Sequence, residues 1–325
     1  MTDPIPADLS RNPNELAHLL EPVLLAQCDG KLSDVRWFRT DWQRGGAATA
    51  FATWSHADGE TYDAVVKLPV GPTEYIFTAH MYGDDAPTPG VLAHGVELGG
   101  YDMAWLVIER LPGDPLSADL HKKVFLHLAE AAARFYRCAI VDRPVDRDRL
   151  HKADWIGLIE RARDSVRDNA IPDEQAWNNA LKDVLRVAPA LVREWESRPI
   201  TCWCHGDLHP GNLMMRDEAR PWGEPGAVLL DMAEVHAGHW VEDAVYLERL
   251  YWSRPDVAKG VKPVQMIAKA RKNLGLPTED DYARLAHLRR LLMASCVPSF
   301  LQREGAPSYL AASLKIIQKT LPLLA

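Results

Sequence analysis

Cysteine is scarce in this chain, five in 325 residues. A count that low and odd excludes a disulfide scaffold and suits free thiols in a reducing compartment. Long apolar runs are also missing. The best candidate, Leu19 to Ala26, is interrupted by Glu21 and Pro22 and is far shorter than the roughly 20 residues a membrane span needs. There is no excess of basic charge: 37 Lys and Arg stand against 45 Asp and Glu, a net charge of −8. That balance argues against a general nucleic-acid or anionic-membrane binder. The opening MTDPIPADLSRNPNE has neither the basic nor the apolar segment of a secretory leader. Internal repeats and low-complexity tracts are absent. The expectation is a soluble cytoplasmic protein with no nucleic-acid or membrane partner. Nothing in the sequence fixes its oligomeric state.

What is present is ordinary globular material, 47% hydrophobic and 25% charged, in a length that suggests about two domains. Pro13 at a first turn, Asn12 as its cap and Glu15 three residues on predict an opening helix. Leu16, Leu19, Leu20, Val23 and Leu24 give it one apolar stripe. Alternating segments at 35–41, 47–54, 61–68, 89–95 and 105–110 predict five strands, with a hairpin at Asp58-Gly59 and a short helix over 74–82. Beyond Leu111-Pro112-Gly113 the pattern turns helical, over 119–140, 151–168, 173–196, 257–274, 279–296 and 307–323. Short apolar strands interrupt it at 200–204 and 227–230. The fold class expected is α+β in two lobes, a β-rich lobe over 1–111 and a mainly helical one over 112–325.

The stretch with the most chemistry is Cys204-His205-Gly206-Asp207-Leu208-His209-Pro210-Gly211-Asn212-Leu213. Its glycines and proline make it a loop after a strand. Nineteen residues past Asn212, the apolar Val228-Leu229-Leu230 ends in Asp231. Two carboxylates and an amide at strand ends form a hard oxygen site of the kind Mg²⁺ prefers. Phosphoryl transfer uses such sites, because its catalysis is mostly positioning and charge neutralisation.

HGDLHPGN followed by LLDMAEVHAGHWVEDA resembles the aminoglycoside phosphotransferase and choline kinase family, which shares the protein-kinase-like fold. Gly238 and Asp243 stand seven and twelve residues after Asp231, as in the family pattern. The resemblance runs from about Val35 to Asp243 and implies an ATP-dependent kinase for a small-molecule hydroxyl, with GTP used by some relatives. It implies Asp207 as the catalytic base and Asn212 and Asp231 as Mg²⁺ ligands. His205 and His209 would brace the loop, and Asp243 would hold its backbone from below. Lys67, in the apolar strand Ala64-Val65-Val66-Lys67-Leu68, would touch the nucleotide phosphates, with Glu74 as its partner. Gly45-Gly46 would form the phosphate-covering turn. The backbone of Glu109 and Leu111 would meet the adenine edge.

Two other readings compete. His205, Asp207 and His209 form H-x-D-x-H, a metal-ligand pattern that a metal-dependent hydrolase would use. A catalytically inactive, nucleotide-binding relative of the kinases is the other. Cys202 and Cys204 beside His205 suggest zinc, or simply two thiols on one strand face packed in a core. Trp240, Tyr251 and Trp252 could hold a quaternary ammonium or a sugar ring, or fill the core. Gly206 in place of arginine and Asp231-Met232-Ala233 in place of Asp-Phe-Gly speak against protein substrates. The resemblance is looser at 217–226, a longer, Pro-rich hairpin between Asn212 and Asp231, and at His239, where relatives often carry Asp. Glu242, Glu248, Asp280 and Asp281 mildly favour a cationic acceptor.

Overall fold

The computed structural model describes residues 13–40, 47–81, 85–279 and 281–324. Gly45, Gly46, Asn12 and Asp280 therefore lie outside the described residues. Contacts divide the chain into two compact units: the first takes it up to Ala118 and again from Gly211 to Val235, the second holds Asp119–Pro210 and His236–Ala325. This cut differs from lobes at 1–111 and 112–325. The difference comes from one hairpin that returns to the first unit long after the chain has left it.

The first unit opens with α1 (Pro13–Gln27). Its Leu16, Leu20 and Leu24 are buried, one residue per turn on a single stripe. Strands β1 (Leu32–Arg39), β2 (Ala48–Ser55) and β3 (Thr61–Leu68) follow, then α2 (Pro72–Ala79), β4 (Val91–Leu98) and β5 (Tyr101–Glu109). They form one antiparallel sheet in the order β1-β2-β3-β5-β4. Alternation decides which face each side chain takes. Ala48, Ala50, Ala52 and Trp54 of β2 and Ala64, Val66 and Leu68 of β3 are buried in the core with α1. Thr49, Phe51, Val65 and Lys67 belong to the other face. Register places Thr49 opposite Lys67 and Phe51 opposite Val65, with Val65 opposite Ile108 of β5.

The chain next enters the second unit through α3 (Lys122–Asp142), α4 (Trp155–Asp168), α5 (Glu174–Glu196) and β6 (Cys202–Cys204). It returns to the first for the hairpin β7 (Leu213–Arg216) and β8 (Gly226–Leu229). The second unit is completed by β9 (His236–Gly238), which pairs with β6. Helices α6 (Val241–Arg249), α7 (Pro263–Asn273), α8 (Tyr282–Cys296), α9 (Leu301–Glu304) and α10 (Pro307–Thr320) follow. Its core is aromatic: Phe125, Phe135, Tyr136, Trp177, Trp203 and Trp240 are almost fully buried.

Several expected boundaries move. Helix α2 begins at Pro72, where proline's fixed φ suits a first turn, so Glu74 lies inside that turn and does not start it. Helix α7 begins at Pro263 and not near 257, because residues 254–261 form separate turns, Val257 to Arg254 and Val261 to Ala258 among them. Strand β9 and helix α6 are not foreseen, and the Pro-rich hairpin expected between Asn212 and Asp231 has its strands at β7 and β8. No helix among the described residues is long and apolar enough to cross a membrane.

Candidate active site

In the first unit a cavity of about 440 Å³ lies on the face of the sheet that carries Phe51, Val65, Lys67 and Ile108. Glu74 of α2, the segment Glu109 to Leu111 after β5, and Asn212, Met214 and Asp231 of the returning hairpin complete its walls. Lys67 Nζ donates to Glu74 Oε1 in an ion pair. The partner expected for Lys67 is thus in contact with it, and a lysine in an apolar strand has its counter-charge. Asn212 and Asp231 come together because they sit at the same end of one hairpin: Leu213 pairs with Leu229, and the Leu230 N–H donates to the Asn212 carbonyl at 2.9 Å. Asp231 has φ +61°, a left-handed conformation uncommon outside glycine and concentrated where function demands it.

The strand end at Glu109 is held rigidly. Its N–H donates to the Gly90 carbonyl at 2.8 Å, and the Arg110 N–H donates to the Asp63 carbonyl at 2.9 Å. What Glu109 can offer an adenine edge is therefore its carbonyl and not its amide. The Glu109 carboxylate is buried. It accepts from Gly90 N at 2.8 Å, from Arg216 Nε and Nη2, and from Trp222 Nε1 at 2.7 Å. The Pro-rich 217–226 segment thus has a definite job: it carries Trp222 onto the carboxylate. The Trp222 ring also sits edge-on to Tyr62 and His56. A Cβ at position 90 would lie 1.9 Å from Trp222 Cδ1. Gly90→Ala is expected to displace that ring and lower stability by about 1–3 kcal/mol. In a thermal-denaturation cycle most of this loss should vanish in a Trp222→Ala background; an undiminished loss would place the effect elsewhere.

In the second unit the loop after β6 is fixed by a single buried carboxylate. Asp243, in the first turn of α6, accepts His205 N–H at 2.7 Å and the Tyr136 hydroxyl at 2.9 Å on Oδ2, and Gly206 N–H at 2.8 Å on Oδ1. Burial and the adjacent Asp243 push the Tyr136 phenol well above its usual range, so it remains a donor. Gly206 has φ +84°, which accounts for glycine directly before Asp207, where a side chain would be strained. Asp207 is half-buried; Tyr246 donates to its Oδ1, and His209 Nε2 lies 3.3 Å from its Oδ2. Sequence reading missed Tyr246. Its one signal is the spacing Asp243-x-x-Tyr246 on a helix that was not foreseen.

The H-x-D-x-H metal pattern does not converge. His205 is fully buried, its ring edge-on to Phe135, and its Nδ1 accepts the Asp207 N–H at 3.3 Å. His239 is fully buried too, with Nε2 3.2 Å from Glu279 Oε2. Among the described residues the one three-member group of metal-ligand type is Cys204, His236 and Glu242. Burial raises the Cys204 thiol well above its ordinary value, and the Arg198 guanidinium already occupies Glu242. With Arg198 bound through two nitrogens to Glu242, this carboxylate is engaged by a resident cation, and the group reads as packing. Trp240 and Tyr251 are core, while Trp252 stacks on Tyr309. The acidic residues expected to favour a cationic acceptor are partly neutralised: Glu242 by Arg198, and Glu248 by Arg290 at 2.7 Å through both carboxylate oxygens.

A family model described as a phosphotransferase enzyme family matches residues 26–288. No curated protein sequence matches the chain. Among solved structures, its fold is similar to an aminoglycoside phosphotransferase from Alicyclobacillus acidocaldarius, at 16% identity over 94% of each chain and a TM-score of 0.54. It is similar to a microcompartment-associated aminopropanol kinase at 16% identity, covering 89% of this chain and 93% of that one, with a TM-score of 0.53. A third is aminoglycoside 2'-phosphotransferase-IIIa in complex with GDP, at 13% identity over 94% of this chain and 98% of that one, TM-score 0.51. At such identities the likeness is one of fold.

Proposed function

Because this chain belongs to the phosphotransferase enzyme family, we propose that it moves the γ-phosphoryl group of ATP to a hydroxyl of a small molecule, with Asp207 as general base. That it is a small-molecule kinase follows from the family and the fold. The observation that carries the finer reading is the cavity of the first unit, where Lys67, Glu74, the Glu109–Leu111 segment, Asn212 and Asp231 line one space. Apolar Phe51, Val65, Ile108 and Met214 in its walls suit a purine ring. The Glu109 carbonyl and the Leu111 amide are the groups offered to that ring's edge. Lys67, aligned by Glu74, provides a cation for the phosphates.

Asn212 and Asp231 supply an amide oxygen and a carboxylate, hard donors that fit Mg²⁺. The ion would neutralise charge on the phosphates in transfer. Asp207 accepts the acceptor's hydroxyl proton as that oxygen bonds to phosphorus and the bond from phosphorus to the diphosphate oxygen breaks. Asp243 fixes the loop backbone through His205 and Gly206, and His209 stays near the carboxylate. Acceptor identity rests on the second unit. The ion pairs at Glu242 and Glu248 remove much of the argument for a cationic one, so neutral sugars belong beside amino alcohols and aminoglycosides in any panel.

Calorimetric titration with Mg·ATP and Mg·GTP, followed by diphosphate release across an acceptor panel, tests this reading. ATP is expected to bind, and Lys67→Met to weaken it about tenfold. An acceptor should stimulate ADP release. No nucleotide binding by the intact chain would sink the proposal.

A further inference from the structure

Helix α6 grips the Asp207 loop twice. Asp243 in its first turn holds the loop's backbone. Tyr246, three residues on and so on the same helix face, donates its hydroxyl to Asp207 Oδ1. Arg249, three residues further, places its guanidinium 4.8 Å from the Tyr246 ring centroid. Arg249 is itself fixed by an ion pair to Glu304 of α9. The stripe Asp243, Tyr246, Arg249 thus reaches from the loop backbone to the carboxylate and on to the C-terminal helices.

We propose that Tyr246 is a positioning residue for phosphoryl transfer: it holds Oδ1 of Asp207, so that the acceptor hydroxyl gives its proton to Oδ2. This rests on the reading of Asp207 as the base. A carboxylate free to rotate presents either oxygen in many orientations, whereas one tethered through a rigid phenol presents a defined lone pair, and reactions lose rate steeply with misalignment. The tether also has an electrostatic effect. A hydrogen bond to the charged form of a carboxyl favours that form. Burial, and then the bond to Asp207, push the Tyr246 phenol above its usual range, so it stays a donor at working pH. Among the described residues, the titratable or charged groups near Asp207 include His209 and His205 from its own loop, Asp243 beneath the loop, and Arg249 behind the Tyr246 ring.

The test uses the full chain labelled with ¹³C at the aspartate side-chain carboxyls, with the Asp207 signal assigned by its loss in Asp207→Asn. Tyr246→Phe keeps the ring against Arg249 and removes only the hydroxyl. It is expected to raise the Asp207 titration midpoint by about one pH unit. It should also lower kcat about tenfold while the acceptor KM changes less than about twofold. Rates are read with whichever panel acceptor turns over, and with Mg·ATP hydrolysis by water alongside. A role confined to packing would lower Tm and leave the midpoint and the kcat-to-KM split unmoved. An unmoved midpoint and rate in Tyr246→Phe, beside an inactive Asp207→Asn, would overturn this inference alone. Full turnover in Asp207→Asn would sink the base assignment, and the role of Tyr246 with it.

Discussion

Turnover of Asp207→Asn is expected to fall by about three orders of magnitude, the scale on which a positioned general base contributes. The amide is nearly the same size as the carboxylate. Its oxygen can still accept from Tyr246, whose hydroxyl meets Oδ1. Loop geometry should therefore survive, since Asp243 holds the backbone at His205 and Gly206 independently of the 207 side chain. What the amide cannot do is take up a proton from the attacking hydroxyl. Nucleotide affinity should stay within about threefold, because no side chain lining the cavity is changed. The discriminating measurement is single-turnover phosphoryl transfer set beside calorimetric binding of Mg·ATP. A large drop in rate with binding intact assigns chemistry to Asp207. A variant that transfers phosphate at the normal rate would leave this carboxylate a loop anchor and return the base to be found elsewhere.

Much of this was legible because it is written locally. The β2–β3 hairpin follows from alternation and one turn dipeptide. The placement of Lys67 on the face opposite Ala64, Val66 and Leu68 follows from the two-residue period alone. The loop from His205 to Asn212 and the strand end at Asp231 announce themselves by residue type and spacing. What stayed hidden is held together across long separations. Glu109 meets Arg216 at a distance of 107 residues and Trp222 at 113. Arg198 meets Glu242 across 44. Tyr246 meets Asp207 across 39. No local pattern encodes which acid a buried arginine will find. The 217–226 segment looks like a departure from pattern in the sequence and proves to carry the ring that seats Glu109. Helix α6 was missed for a related reason. It is nine residues long, and its first turn buries two acids, Glu242 and Asp243, where a hydrophobic stripe would have been looked for. Its identity comes from the partners those acids have, not from its own periodicity.

One of those acids carries the other large expectation. Glu242→Ala should destabilise the second unit by about 3–5 kcal/mol, the usual cost of stranding a charge by deleting its buried partner. Glu242 is 3% exposed. Its Oε1 accepts Arg198 Nε at 3.0 Å, Arg198 Nη2 at 2.9 Å and the His239 N–H at 3.0 Å. Arg198 is itself buried and lies against Trp195, as does the partly buried Arg289. Without the carboxylate, two guanidiniums share a mostly apolar site. Glu242→Gln keeps the volume and an acceptor for His239 but not the charge, and should cost less. The pH dependence has a definite sign. Burial alone would raise the Glu242 carboxyl, but His236, Arg289 and Arg198 together hold it below the ordinary range. A folded pKa below the unfolded value of about 4.3 gives stability that is fully present above that value. It is lost as pH falls toward the folded pKa, by up to roughly 1.4 kcal/mol per pH unit. Urea denaturation of wild type and Glu242→Gln at pH 7, 5, 4 and 3 reads this directly. Between pH 5 and pH 3 their stability gap should narrow, since other carboxyls cancel in the difference when they lie far from this site. A gap that stays constant to pH 3, or widens, would mean that Glu242 is not held ionised by these arginines, and the mechanism of the destabilisation would have to be sought in packing.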